Sequence, residues 1–267
     1  MKFRWPRTAA RAVLLVLVLC GCATAPRSPS LADRAAVYPR AERSFAAALL
    51  LKPQTTLPED LAPVRLAPLL LLEVGEATGS RGLGAALPIV WFREGWALLD
   101  GRVHVQVDYR WRVDLGAGGA LGDEPRQGIR LTLNTAGEPV LWEVLRDSSR
   151  VRVFFAARSL EVEALREFGP ALPGRRYALE RAVSESPEVV VARVIEDGPV
   201  AMGPIVHVSA ATGDITSVIC RCMAPKVEVL VGQRDYELVP ADSSFIEGER
   251  EPAVVSQDPG LRLPAGF

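Results

Sequence analysis

The chain has 267 residues, with 31 basic against 32 acidic side chains, a balance that leaves no electrostatic footprint for nucleic acid or an acidic surface. Its hydrophobic share of 49% supports a packed core and fits one domain or two small ones. The sequence contains no His-Glu-x-x-His, Cys-x-x-Cys or Gly-x-Ser-x-Gly, which argues against common zinc sites, thioredoxin-like redox chemistry and a serine triad.

The first residues carry Lys2, Arg4, Arg7 and Arg11 with no acid, then an unbroken apolar run from Ala12 to Leu19. A membrane span needs about twenty apolar residues, so this run is the core of a signal peptide rather than a transmembrane helix. Small residues follow, and Leu19-Cys20-Gly21-Cys22 resembles the lipobox of bacterial lipoproteins. That resemblance implies cleavage before Cys22, diacylglycerol on its sulfur and acylation of the new amino group. With Ala23 rather than Asp next in line, it also implies sorting to the outer membrane, facing the periplasm. An ordinary secretory signal cut near Ala23 or Ala25 is the alternative. Removing residues 1–21 with their four basic side chains leaves 246 residues and a net charge of about −5.

Residues 22–39, rich in Ala, Pro, Ser and Arg, read as a flexible tether. The segment 39–51 reads as a short helix, with Pro39 in its first turn and Lys52-Pro53 as its stop. Residues 53–68 hold four prolines and read as irregular; 69–74 is a strand buried on both faces, and 75–86 a glycine-rich loop without the Gly-Lys-Ser/Thr of a phosphate cradle. Strands are expected at 89–93 and 96–99, then the turn Asp100-Gly101. The cleanest alternation runs over 103–113: Val103, Val105, Val107, Tyr109, Trp111 and Val113 on a core face, with His104, Gln106, Asp108, Arg110 and Arg112 on a solvated one. His104 is therefore expected to be exposed.

Beyond a second glycine-rich loop, 129–133 and 140–145 form a hairpin about Asn134–Gly137, with Pro139 at a strand start where its missing N–H is harmless. Then come a strand at 151–156 and a helix at 159–168 with Ser159 as N-cap and Gly169-Pro170 as stop. Strands follow at 177–183 and 189–195, and a rigid loop at 198–204. Residues 205–210 and 214–222 make a hairpin, with further strands at 227–231 and 236–239. The tail 241–267 is charged and proline-rich and reads as poorly ordered. The sum is an α+β domain over 40–240: a mainly antiparallel sheet of about ten strands that can curl toward a half-barrel, two short helices, and no βαβ alternation.

The one unusual cluster is Cys220-Arg221-Cys222-Met223. On a strand, side chains at i and i+2 share a face but stand too far apart for an unstrained disulfide, so a bridge requires a local kink. Three states stay open: two buried thiols, a disulfide, or a soft-metal site drawing on Cys220, Cys222 and Met223. His207 is decided by hairpin register. A three-residue loop ending at Gly213, the expected case, pairs position 207 with 217 and turns His207 away from the cysteines; a two-residue loop at Thr212-Gly213 would pair it with 218 and put it on their face. Acids such as Glu143, Glu161 and Glu180 are scattered, and sequence selects no catalytic pair among them.

No catalytic residue is therefore assigned, and Cys22 is the single modification site. The expectation is a lipid-anchored envelope protein that binds or scaffolds another component. It touches membrane through its lipid, with an envelope protein as partner, no nucleic acid and no cofactor. The alternative is a soft-metal or redox module on Cys220 and Cys222.

Overall fold

The computed structural model describes residues 31–74, 88–111, 127–146, 151–182, 189–209, 212–241, 254–255 and 259–267. The signal segment and Cys22, the loop at 75–86, most of that at 114–128 and the turn residues 210–211 lie outside these ranges.

Three helices are described: α1 (Leu31–Glu42), α2 (Ala62–Arg65) and α3 (Arg158–Phe168). The strands are β1 (Phe45–Gln54), β2 (Leu69–Glu73), β3 (Ile89–Leu99), β4 (Arg102–Trp111), β5 (Gln127–Leu133), β6 (Pro139–Leu145), β7 (Arg152–Ala157), β8 (Val189–Ile195), β9 (Ile205–Val208), β10 (Ile215–Ile219), β11 (Val227–Pro240) and β12 (Val254–Val255). Eleven of them lie in the order β10-β9-β2-β1-β11-β3-β4-β5-β6-β7-β8, and β12 adds to β3. The fold is α+β on a mainly antiparallel, nearly closed sheet. Helix α1 touches both end strands, β8 and β10, and so bridges the gap that remains.

The local reasons are readable. At the β3–β4 turn both Asp100 (φ 47°) and Gly101 (φ 78°) take positive φ, the conformation that Asp-Gly favours and that matches the strand twist. At the β5–β6 turn the Asn134 side chain accepts the N–H groups of Ala136 (3.0 Å) and Glu138 (2.9 Å). Inside the curve of the sheet, Tyr109 Oη donates to the Pro63 carbonyl and Tyr236 Oη to that of Pro68, each at 2.7 Å. These two hydroxyls pin the proline-rich segment around α2 against the core, and burial raises the pKa of both phenols.

Several expectations give way. The apolar run at 45–51 is strand β1, not helix. A short all-apolar stretch has no period to distinguish the two, and here it lies between β2 and β11. The helix is instead α1, most of it in the stretch read as tether and its end at 40–42 beyond it, with Val37 and Ala41 buried against the core. Residues 177–182, the described part of the strand expected at 177–183, form no strand. Among the described residues of that stretch only an isolated bridge, Glu180 to Leu261, remains. Consequently β7, α3 and β8 make one parallel crossover, a βαβ unit where none was expected. The two short strands expected at 227–231 and 236–239 are a single strand, β11, parallel to both β1 and β3. The end of the tail is docked: Leu261 and Phe267 are buried, and Arg262 donates to the Ala178 carbonyl.

The polar face of β4 is not solvated. His104 is 2% exposed; its Nδ1 lies 3.0 Å from the Leu133 carbonyl, and its ring stacks on Phe267 at 4.3 Å. Val103, assigned to the core face, is 67% exposed at the strand's start. Arg93, Asp108, Arg130 and Glu143 sit directly opposite one another on β3, β4, β5 and β6, a row of alternating charge. Arg130 donates to Asp108 through Nε (2.7 Å) and Nη2 (3.1 Å), Arg93 donates to the same carboxylate (3.0 Å), and Arg152 Nη2 donates to Glu143 (2.7 Å). Burial pushes the Asp108 pKa up, but the Arg130 hydrogen bonds and the charges of Arg130, Arg93 and Arg110 overcome it and hold the carboxyl below its ordinary value.

Candidate functional site

At one end of the sheet four pieces of chain meet: the last residue of the β5–β6 turn with the start of β6, the first turn of α3, the loop 196–204, and the turn that follows β10. They enclose a pocket of about 340 Å³, within the range of ligand sites. Val140, Trp142, Val200 and Met202 supply apolar wall, and Glu138, Asp197, Cys220 and Arg221 supply polar groups.

The acids of this pocket are already engaged. Glu196 pairs with Arg158, whose guanidinium holds the carboxyl below its ordinary value. Asp197 accepts from Ser159 N–H (3.0 Å) and Oγ (2.7 Å). The expected N-cap, Ser159, thus lies inside α3, the structural N-cap is Ala157, and the capping carboxylate arrives from the far side of the crossover. Glu138 receives the Asn134 amide (3.0 Å).

The donors are less complete. Arg221 reaches inward and its Nη2 donates to the Ala67 carbonyl, while its Nε is buried with no hydrogen-bond partner. Trp142 faces Leu131 and Phe155 on the core side of the sheet, and its indole Nε1 is likewise buried without a partner. The loop is held hard against the α2 segment: a Cβ on Gly203 would lie 2.2 Å from the Leu66 carbonyl oxygen, so only glycine fits.

Cys220 and Cys222 are joined in a disulfide, with Cα atoms 5.2 Å apart. The kink that such a bridge requires is present. Strand β10 ends at Ile219, and Met223 N–H donates to the Cys220 carbonyl at 3.0 Å, closing a turn. Cys220 is 8% exposed and lines the pocket, whereas Cys222 and Met223 are exposed. Among the described residues no group of three or more His, Cys, Asp and Glu side chains could hold a metal ion.

His207 pairs with Ser217 as expected, but not through the expected turn: Ser209 faces Asp214 and Val208 faces Ile215, one position off that register, and a bulge between Ile215 and Ser217 restores the pairing. Its ring meets Phe45 edge-on at 5.4 Å. Both ring nitrogens and the Ser217 Oγ are buried without partners. Burial, then the charges of Lys226 and Arg193, lower the His207 pKa to about 4. The scattered acids are structural. Glu161 accepts the N–H groups of Ala178 (2.8 Å) and Leu179 (3.3 Å), and Glu180 accepts those of Arg176 (2.9 Å), Tyr177 (3.1 Å) and Val191 (3.2 Å). Glu143 belongs to the charge row, and none of the three lines the pocket.

Sequence reasoning found Cys220 and missed Trp142, Arg221 and Asp197. Nothing local marks them, because the pocket is assembled from segments 138–142, 159, 196–204 and 220–221. Comparison with protein-family models, curated proteins and solved structures returns no match for this chain.

Proposed function

We propose that this is a lipid-anchored protein of the cell envelope that binds a peptide segment of a partner protein in the pocket between β6, loop 196–204 and the turn after β10. The observation that carries the binding reading is the pair of buried donors without acceptors, Trp142 Nε1 and Arg221 Nε, in residues that wall a pocket of mixed polar and apolar lining. Buried donors are normally paired, and an unpaired one costs roughly 1–3 kcal/mol. Both nitrogens are shielded from solvent, so a peptide carbonyl supplies the missing acceptor when its entry displaces the wall that covers them. An apolar side chain of the same peptide packs on Val140, Val200 and Met202. Glu138, Glu196 and Asp197 disfavour an anionic ligand there and suit a neutral or basic segment.

The lipobox carries the location. Replacing Cys22 by Ala should release the protein from membranes or leave an unprocessed precursor; an unchanged membrane fraction and mobility would rule out the anchor. For the pocket, a photo-crosslinking amino acid at the exposed Val200 should yield one defined adduct in intact envelopes. The adduct should be lost when Arg221 is replaced by Met and absent when the probe sits at Val103. Equal labelling from both positions would contradict a specific site.

A further inference from the structure

The turn after β10 holds a second feature, independent of whether the pocket takes a peptide. The disulfide spans two positions, so reduction opens only a three-residue ring and releases little chain entropy. The turn that carries it is also fastened by a backbone hydrogen bond, Met223 N–H to the Cys220 carbonyl, which does not need the S–S bond. The backbone can thus keep both sulfurs in place when the bond is broken. Moreover the two sulfurs are inequivalent. Cys220 is buried under loop 196–204, where a Cβ on Gly198 would lie 3.3 Å from its Sγ. Cys222 is exposed, with its Sγ 4.0 Å from the Asp197 carbonyl oxygen. Finally, the Cys222 backbone N–H donates to Cys220 Sγ at 3.1 Å, a contact that favours the thiolate form of Cys220.

We infer that Cys220–Cys222 is an exchange-active disulfide that oxidises a dithiol on a protein arriving at the pocket rim. A thiolate of that protein attacks the accessible Cys222 Sγ, forming a mixed disulfide and expelling Cys220 as a thiolate stabilised by the Cys222 N–H. The second thiolate of the incoming protein then attacks its own sulfur in the mixed disulfide and expels Cys222 as thiolate. One disulfide forms in the incoming protein and one is lost here. Two electrons pass to Cys220 and Cys222, and the two thiol protons reach them through solvent. The absence of a Cys-x-x-Cys motif does not exclude this, because the alternating i, i+2 spacing is made workable by the turn.

The test uses the mature lipidated protein in detergent micelles. It is equilibrated with mixtures of reduced and oxidised glutathione, trapped with an alkylating agent and read by mass spectrometry. The expected result is reversible interconversion of disulfide and dithiol in the folded protein. The Cys220→Ser variant should accumulate a glutathione adduct on Cys222, while Cys222→Ser should form none on Cys220. A disulfide that resists excess reduced glutathione until the protein unfolds overturns the proposal, as does glutathione capture by Cys220 instead of Cys222. The first readout uses the unaltered chain, so it decides even if a serine variant fails to fold. An inert disulfide alongside a specific Val200 adduct would remove this inference and leave the binding reading standing.

Discussion

Two regions of this sheet bury polar groups in opposite ways. Across β3 to β7 the side chains of Arg93, Asp108, Arg130, Glu143 and Arg152 are tied to one another strand by strand. Around β9, β10 and the turn beyond, His207, Ser217 and Arg221 bury polar atoms with no partner, and Trp142 does so across the pocket. The charged row of the first region is a closed electrostatic account that holds strands in register, since a slip of one residue would bring like faces out of step, although beside it His104 Nε2 and Trp111 Nε1 on β4 and Gln127 Oε1 on β5 are also buried without partners. The second leaves hydrogen-bonding capacity unspent, which proteins keep where something else is to bind or move.

The contrast can be broken most severely at Asp108. Replacing it by Ala strips the carboxylate from a buried cluster of guanidinium groups, and removal of one member of such a pair costs about 3–5 kcal/mol. Denaturant unfolding should show that loss. A change within about 0.5 kcal/mol, ordinary for a surface site, would mean that the row is decoration.

His207 sharpens the other half. Its folded pKa of about 4 lies below the ordinary 6.5, so the unfolded chain takes up a proton first as pH falls. Stability is complete above the unfolded value and drains away as pH drops from 6.5 toward 4, by up to about 3 kcal/mol. Glu161 works in the opposite sense: burial, only partly offset by the Ala178 and Leu179 N–H groups, raises its pKa, so its contribution is present at low pH and is lost as pH rises through the folded value. Stability measured against pH should therefore flatten over that window in His207→Leu. An unchanged slope would show that His207 is not the titrating group.

The smallest effect belongs to the capping carboxylate. Asp197→Ala should cost about 1 kcal/mol of thermal stability through the lost cap of α3, and should leave the charge row untouched.

Much of the sheet was legible because its signals are local. The Asp100-Gly101 and Asn134–Gly137 turns and the stop at Gly169 are each set by a few neighbouring residues, whereas the expected pairing of His207 with Ser217 is reached through a bulge that the turn did not announce. What was not legible depends on contacts made far along the chain. The exposure of His104 was misread because Phe267, 163 positions later, stacks on that histidine, and the solvated face of β4 because Arg93 and Arg130 on neighbouring strands close over Asp108. The run at 45–51 could not declare itself a strand without its neighbours β2 and β11. The pocket was invisible for the same reason, and of its wall only Cys220 stood out, through the oddity of Cys220-Arg221-Cys222-Met223.

The central claim is that the unpartnered donors of the pocket are completed by a peptide. The most direct measurement is binding of the purified protein to an array of peptides from envelope proteins, with the wild type set against Trp142→Phe, which removes the indole N–H and keeps an aromatic ring in the wall. The account predicts neutral or basic, apolar-flanked peptides bound by the wild type and roughly fivefold to tenfold weaker binding by the variant, the worth of one hydrogen bond. Equal binding by the two proteins, or no peptide bound by either, would contradict it.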